Sequence, residues 1–516
     1  MLKSSMSVSA ATMSSRVLGL VRDVLLARLI GAGAAADAFY VAFKLPNFFR
    51  RLFAEGAFNT AFVPVLSDYR RNRSLAEVQL FVNHVSAALG LSLFLLTLLV
   101  VVFAPQVMAV YGAGFLDDPF KFQAASDMLR ITFPYLMLIS LTGFAGSILN
   151  SYDRFMVPAI TPVILNISLI VGAIYAAPLF QQPVFALAWA VLVAGVLQFL
   201  FQLPFLARMH LLPVPRLSLQ DAGVRRVLKL MLPALFGVSV SQINLLLDTV
   251  LATFLPTGSV SWLYYSDRLM ELPLGVFGVA IATVALPNLS RQRFAEDPQK
   301  FRRMMGWAIR LVLLIALPAA LALVALAMPI LAGLFQYGAM LASDVEKARF
   351  SLAAYALGLV AFMMIKVLAT GYFAREDTAT PVKIGIIAMA ANMLFNLVLV
   401  LLFHFAWQLG HAGLALATSL SGWLNALLLY RGLRKSDSCP GLSELSPFLW
   451  RIVFAMGLML AGLLLLLMVW QQWFDWSAWQ RIWRLLLLCA SGGLLYLLGL
   501  FVTGVRPRQF LMNPAD

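Results

Sequence analysis

Apolar runs of about 20 residues recur from one end of the sequence to the other, among them HVSAALGLSLFLLTLLVVVFAP at 84–105 and AIRLVLLIALPAALALVALAM at 308–328. At ~1.5 Å per residue, each is long enough to cross a hydrocarbon layer of ~30 Å as a helix. Of the 516 residues, 62% are hydrophobic and 12% charged, about half the charge of a soluble domain at ~25%. The sequence therefore predicts an all-α polytopic membrane protein. Fourteen spans are expected, at about 8–30, 36–65, 79–104, 127–150, 157–178, 184–207, 227–255, 260–288, 304–328, 349–373, 381–404, 411–432, 449–470 and 482–504.

The formal charge of +15 is spread over the short connections between spans, so it argues for topology control and against nucleic-acid binding. With the N-terminus inside, the even-numbered connections (SDYRRNRS, SYDRF, RMHLLPVPRLSLQDAGVRR, RQRFAEDPQKFRR, AREDTA, RGLRKSDS) and the tail hold about twenty Lys and Arg. The opposite ones hold roughly four, including Lys121, Lys347 and Arg349. This bias predicts both termini in the cytoplasm. The N-terminal MLKSSMSVSAATMSSRVLG lacks an apolar h-region and cleavage site, and reads as the start of the first span. Cys439 and Cys489 are too few for a disulfide framework or metal cluster and are expected to be unpaired.

An internal repeat is visible at an offset of 223. It places Pro64 and Ser67 of FVPVLSDYRR on Pro287 and Ser290 of ALPNLSRQR, and Pro158 on Pro381. Two six-helix lobes are expected, 1–218 and 219–441, with 442–516 supplying two further helices. An even number of spans per half makes the repeats parallel, the two-lobed plan of alternating-access transporters.

Most charge sits in the connections; the exceptions fall in spans 1, 2 and 8. Span 1 carries Arg16, Arg22, Asp23 and Arg28, with Gly19 between the first two arginines as an expected hinge. In span 2, Asp37, Lys44 and Arg51 lie seven apart and Glu55 follows four later, forming one helical stripe beside Arg50. Pro46 is expected to bend that helix. Span 8 contributes Asp267, Arg268 and Glu271, followed by Pro273, Gly275 and Gly278. Snorkelling accounts for Arg28 at a helix end and is an equal alternative to a site role for Arg16. It suits Lys44, Arg50, Arg51 and Arg268 poorly: a central cation costs roughly 2.5–3.5 kcal/mol even on the forgiving insertion scale. Several such cations facing lipid would cost as much as a whole fold is worth, about 10 kcal/mol. They are expected to face water, and arginine is the residue that grips phosphate with two parallel hydrogen bonds. A phosphate-bearing anionic substrate follows. Asp37, Glu55, Asp267 and Glu271 are expected to pair with the arginines when substrate is absent.

The sequence has no GxxxxGK[ST] loop, no metal-ligand spacing among its four histidines, and no nucleophile–base constellation, so a transporter without ATPase or covalent chemistry and without a metal or cofactor is predicted. Asp248, Asn392, Asn396 and Thr418 form a second polar group, read either as a site for a coupling Na⁺ or H⁺ or as interhelical hydrogen bonding.

The segments SRVLGLVRD, DAFYVAFKLPNFFRRLFAEGAFNTAFVPVLSDY and GSVSWLYYSDRLMELPLGVFGVA resemble the MurJ (MviN) family of bacterial lipid II flippases, and the resemblance extends over essentially the whole chain. It implies the fold of the MOP exporter superfamily, with the last two helices forming a groove for a lipid tail. The implied task is to move undecaprenyl-pyrophosphate-linked disaccharide-pentapeptide across the inner membrane for peptidoglycan synthesis, among membrane lipids and cell-wall synthesis proteins. The family's essential cavity arginines correspond to Arg16, Arg22, Arg50 and Arg268, and its essential aspartate to Asp37. Apart from the resemblance, the charge pattern assigns Lys44, Arg51, Glu55, Asp267 and Glu271 to gate or cavity ion pairs. The competing readings are a flippase for another polyprenyl-pyrophosphate-linked glycan, a cation or multidrug antiporter of the same superfamily, and a membrane enzyme acting on polyprenyl phosphates.

Overall fold

The structure, a computed structural model, describes residues 2–52, 58–218, 220–291 and 298–506. Their secondary structure is helical, with no strand among the described residues. In chain order the helices are α1 (Leu2–Ile30), α2 (Ala34–Arg50), α3 (Phe58–Asn72), α4 (Leu75–Val102), α5 (Ala104–Tyr111), α6 (Pro119–Thr132), α7 (Tyr135–Ser151), α8 (Met156–Val171), α9 (Pro183–Ala207), α10 (Ala222–Thr253), α11 (Ser259–Pro273), α12 (Val279–Arg291), α13 (Pro298–Ala325), α14 (Ala327–Leu334), α15 (Ala342–Phe373), α16 (Ala379–Trp407), α17 (Gly410–Lys435), α18 (Leu442–Val469) and α19 (Ala478–Val502).

Eleven helical segments among the described residues are long and apolar enough to cross a membrane, and they coincide with expected spans 3–6 and 8–14. The chain is a multi-pass membrane protein. The other three expected spans fall on α1, on α2 with α3, and on α10, each of which carries charged residues inside the segment.

Helix starts follow local chemistry. Ser74 and Glu77 close a capping box on α4, Asp118 accepts the Lys121 N–H at the start of α6, and Asp221 accepts the Val224 N–H at the start of α10. The offset of 223 also governs helix boundaries. It carries both ends of α4 onto α13, both ends of α5 onto α14, and the starts of α6 and α8 onto those of α15 and α16. Where the halves differ, a proline explains it. Pro134 lacks the N–H that would continue α6 into α7, while Leu357 stands at the matching position and α15 runs unbroken.

By packing, the chain separates into two units, Met1–Ser261 and Trp262–Asp516. In the first, Phe62 of α3 stacks on Phe58 and on Phe81 of α4 at 5.1 and 5.8 Å and tilts against Phe144 of α7, while Val224 and Val227 of α10 join the same cluster. Lipid supplies little driving force for helices to associate, so close van der Waals fit of this kind carries the packing. Packing thus groups α10 with the first unit, whereas the repeat pairs it with the helices that follow. Part of the reason is a tether at its far end: Gly114 donates its N–H to Thr253 Oγ1 at 3.1 Å, and a Cβ on Gly114 would lie 2.3 Å from the Thr253 carbonyl carbon. Only glycine admits that approach.

In the second unit, α15 is central. Leu359, Met363, Val367 and Leu368 bury against Met305, Ile309 and Val312 of α13, Ala285 of α12 and Leu433 of α17. The α18–α19 pair packs on this core through α13 and α14, and Tyr496 Oη donates to the Leu314 carbonyl at 2.7 Å. Cys439 and Cys489 are both unpaired; Cys439 lies in the α17–α18 connection, where burial pushes its thiol up to about 12.

Candidate functional site

In the first unit, α1 runs as one continuous helix through Gly19 and packs along α8. On the shared face, Arg22 and Asp23 are 6% and 3% exposed. The guanidinium donates Nε and Nη2 to Asp23 Oδ1 at 3.0 and 2.7 Å, and Nη1 to Asn166 Oδ1 of α8 at 3.0 Å. The Asn166 amide donates onward to the Ser15 carbonyl at 2.9 Å. A cation this deep is tolerable only with its hydrogen bonds filled, and Asn166 both fills one and ties the arginine to a second helix. Arg16 lies half-buried on the same helix, and Arg28 is exposed near its end.

The stripe read on α2 separates into distinct environments. Asp37 is 2% exposed. Its Oδ2 accepts the Gly258 N–H at 2.7 Å, and its Oδ1 accepts the Ser261 N–H and hydroxyl at 3.0 and 2.7 Å. Among the described residues Asp37 forms no ion pair with an arginine; its carboxylate caps the start of α11. Beside it, Lys121 of α6 donates to Thr257 Oγ1 at 2.7 Å. Asp37, Lys121 and Gly114 together fasten residues 253–261 to the first unit.

Lys44 is exposed, and Arg50 and Arg51 are half-buried. Arg50 Nε donates to Asn47 Oδ1 at 3.2 Å, and Asn47 donates to the Phe43 carbonyl. Pro46 sits inside a continuous α2; the chain changes to a π turn only at Arg51 and Leu52. Glu55 lies outside the described residues.

In the second unit, Arg268 Nη1 donates to Glu271 Oε2 at 3.0 Å, one turn along α11, and its guanidinium lies 5.1 Å from the Tyr264 ring centre. Both partners are about one-third exposed, so water competes for the pair. Asp267 is half-buried next to it. A π turn at Leu274–Gly278 follows Pro273, whose missing N–H removes one α-helical bond there. At the other end of α11, the Trp262 indole donates to Asp344 Oδ1 at 3.1 Å and packs on His411, with Lys347 over its ring.

The residues read as a cation site do not gather in one unit. Asp248 belongs to the first, where Asn244 Nδ2 lies 3.5 Å from its carboxylate. Asn392 and Asn396, fully buried in the second, bond to each other at 2.8 Å, and Asn392 reaches Ser421 of α17 at 3.3 Å. Thr418 donates to the Leu414 carbonyl of its own helix. The two asparagines join α16 to α17, the interhelical bonding that the same residues also suggested.

Sequence reading missed Asn166, Ser261 and Lys121 as partners of the charged residues. PTGSVS (256–261) carried a turn-and-cap signal that calls for an acceptor; nothing in TPVILNISLIV marked Asn166.

A family model described as "Lipid II flippase MurJ" matches residues 26–482. The chain is 46% identical over 519 residues to a probable lipid II flippase MurJ of Haemophilus influenzae, covering 97% of this chain and 99% of that protein. It is 43% identical over 467 residues to the lipid II flippase MurJ of Burkholderia cenocepacia, covering 89% and 88%. Among solved structures, one described as "Lipid II flippase MurJ, inward closed conformation" superposes with a TM-score of 0.80 at 28% identity, covering 96% of this chain and 98% of that one. A multidrug resistance MATE family transporter of the MOP superfamily, inward-facing, gives 0.65 at 15% identity over 84% of this chain and 98% of that one, a likeness of fold alone.

Proposed function

The chain belongs to the MurJ family of lipid II flippases, and from that premise we propose that it moves lipid II from the cytoplasmic to the periplasmic leaflet of the bacterial inner membrane by alternating access. The observation that carries the proposal is Arg22: a guanidinium 6% exposed in α1, held by Asp23 and Asn166. Holding a cation there costs several kcal/mol that a purely structural helix has no reason to spend. A pyrophosphate is the ligand whose charge and geometry match arginine.

In this reading Arg16, Arg22, Arg50 and Arg268 are the arginines that receive the pyrophosphate, while the polyprenyl tail remains in lipid beside α18 and α19. Asp23 and Glu271 occupy Arg22 and Arg268 when substrate is absent and are displaced by it. Asp37 takes part by closing the 253–261 connection rather than by touching substrate, and Lys44, Arg51, Glu55 and Asp267 serve the gate. Both termini face the cytoplasm, where cell-wall synthesis proteins are the natural partners. Two negative charges leaving an inside-negative compartment release roughly 4–5 kcal/mol per 100 mV, enough to drive the step without ATP. Asp248 is the carboxylate through which a coupling H⁺ or Na⁺ would act.

Reconstitution of Arg268→Ala in liposomes tests the proposal. It should insert and fold like wild type yet fail to flip a pyrophosphate lipid; flipping at the wild-type rate would overturn the arginine clamp.

A further inference from the structure

We infer that the second unit carries a separate binding site for an anionic phospholipid, at the end of the helices where α13, α15 and α18 meet. A cavity of about 420 Å³ opens there, within the ~300–1,000 Å³ range of small-molecule sites. Its wall is apolar along Val324, Met328, Phe350 and Leu467, and polar at Arg349, Gln471 and the Trp470–Trp473 turn.

Three features call for an anion at the polar end. Arg349 stacks on Phe350 at 4.8 Å and has no carboxylate within ion-pair distance among the described residues. Arg484 of α19 is not part of the lining but lies 5.9 Å from the ring centre of Trp470, which is, and 3.7 Å from that of Trp476; it has no carboxylate within ion-pair distance among the described residues and a buried Nη1 without a partner. Trp473, which lines the wall and is 2% exposed, has an indole N–H with no acceptor. Unpaired buried donors are costly, and native proteins seldom keep them without a ligand or water.

The charge bias assigns this end of the helices to the outside, where cations are scarce, so two arginines without carboxylates need another reason to be there. Arginine, indole N–H and amide donors above an apolar wall, at a helix end rich in tryptophan, fit a phosphodiester headgroup with its acyl chain lying along α13 and α18. The site is independent of the arginines assigned to the flipped substrate.

Native mass spectrometry of the full chain in detergent tests the inference, with phosphatidylglycerol, phosphatidylcholine and inorganic phosphate as probes. Wild type should retain one phosphatidylglycerol under activation that strips phosphatidylcholine. Arg349→Gln should weaken that retention about tenfold, Arg349→Lys less, and Trp473→Phe about threefold, as expected for loss of one charged and one neutral hydrogen bond. Unfolding temperatures measured without added lipid, and unchanged in Arg349→Lys, separate loss of the site from loss of the fold. Equal retention of both lipids, or full selectivity in Arg349→Gln, would overturn the site. Displacement of phosphatidylglycerol by inorganic phosphate alone would reassign it to a free anion.

Discussion

Asp37 and Ser261, 224 residues apart, meet through two hydrogen bonds to one carboxylate oxygen, from the Ser261 hydroxyl at 2.7 Å and its N–H at 3.0 Å. The other oxygen holds the Gly258 N–H. Asp37→Ala strands these donors in a buried place, at about 1–3 kcal/mol for each one left unsatisfied. The variant should lose thermal stability and flipping together. Asp37→Asn keeps one acceptor oxygen and should fall between the two. Fluorescence-detected melting beside a flipping assay checks this, and an Asp37→Ala protein as stable as wild type would contradict the cap.

Asn166 offers a way to separate holding Arg22 from using it. Asn166→Asp keeps an acceptor for Arg22 Nη1 but adds a negative charge 3.0 Å from the guanidinium. The protein should keep the Arg22 contact, lose the bond to the Ser15 carbonyl and so melt somewhat below wild type, and bind a pyrophosphate lipid at least tenfold more weakly, because the added carboxylate competes for the cation. Asn166→Leu leaves both Arg22 and the Ser15 carbonyl short of a partner and should lower stability as well. Lipid titration by native mass spectrometry gives the affinities; undiminished binding in Asn166→Asp would remove Arg22 from the site.

The architecture was legible in the sequence because membrane helices announce themselves one segment at a time. Apolar length marked the spans, and two prolines at a common offset marked a repeat whose helix ends agree to the residue between α4 and α13. Intramembrane charge likewise pointed to α1, α2 and α11. Partners were not legible, since Arg22 meets Asn166 across 144 residues and Asp37 meets Ser261 across 224. No periodicity encodes which helix lies beside which. The seven-residue stripe placed Asp37 and Lys44 on one face, but burial depends on what packs there: Asp37 is enclosed by Gly258 and Ser261, and Lys44 is exposed.

Asp377, in the α15–α16 connection, gives a prediction in pH. The Thr380 hydroxyl and N–H, the latter at 2.9 Å, hold its carboxyl below the usual carboxylate range. A carboxyl depressed in the folded state adds stability above its unfolded value, ~3.9, and that stability is lost as pH falls through the lower folded value. Wild type should therefore lose stability more steeply below about pH 4 than Asp377→Asn. Above about pH 5 the two should differ by a constant amount. Parallel melting curves of both proteins down to pH 3 would contradict the cap.

Glu271 tests whether the empty site is held shut against its own ligand. It pairs with Arg268 at 3.0 Å, and both side chains are about one-third exposed, so the pair is worth at most about 1 kcal/mol. A pyrophosphate must displace Glu271 to reach Arg268, so removing the competitor should tighten binding by no more than about fivefold. Glu271→Gln should therefore bind the lipid a few-fold more tightly. Release at the far leaflet should slow by a similar factor, because the Glu271 carboxylate no longer competes for Arg268. Affinity rising while single-turnover release slows is the signature of competition. An unchanged affinity would mean that Glu271 does not hold Arg268 in the resting protein, and a weakened one would mean that Glu271 orients the arginine for its substrate.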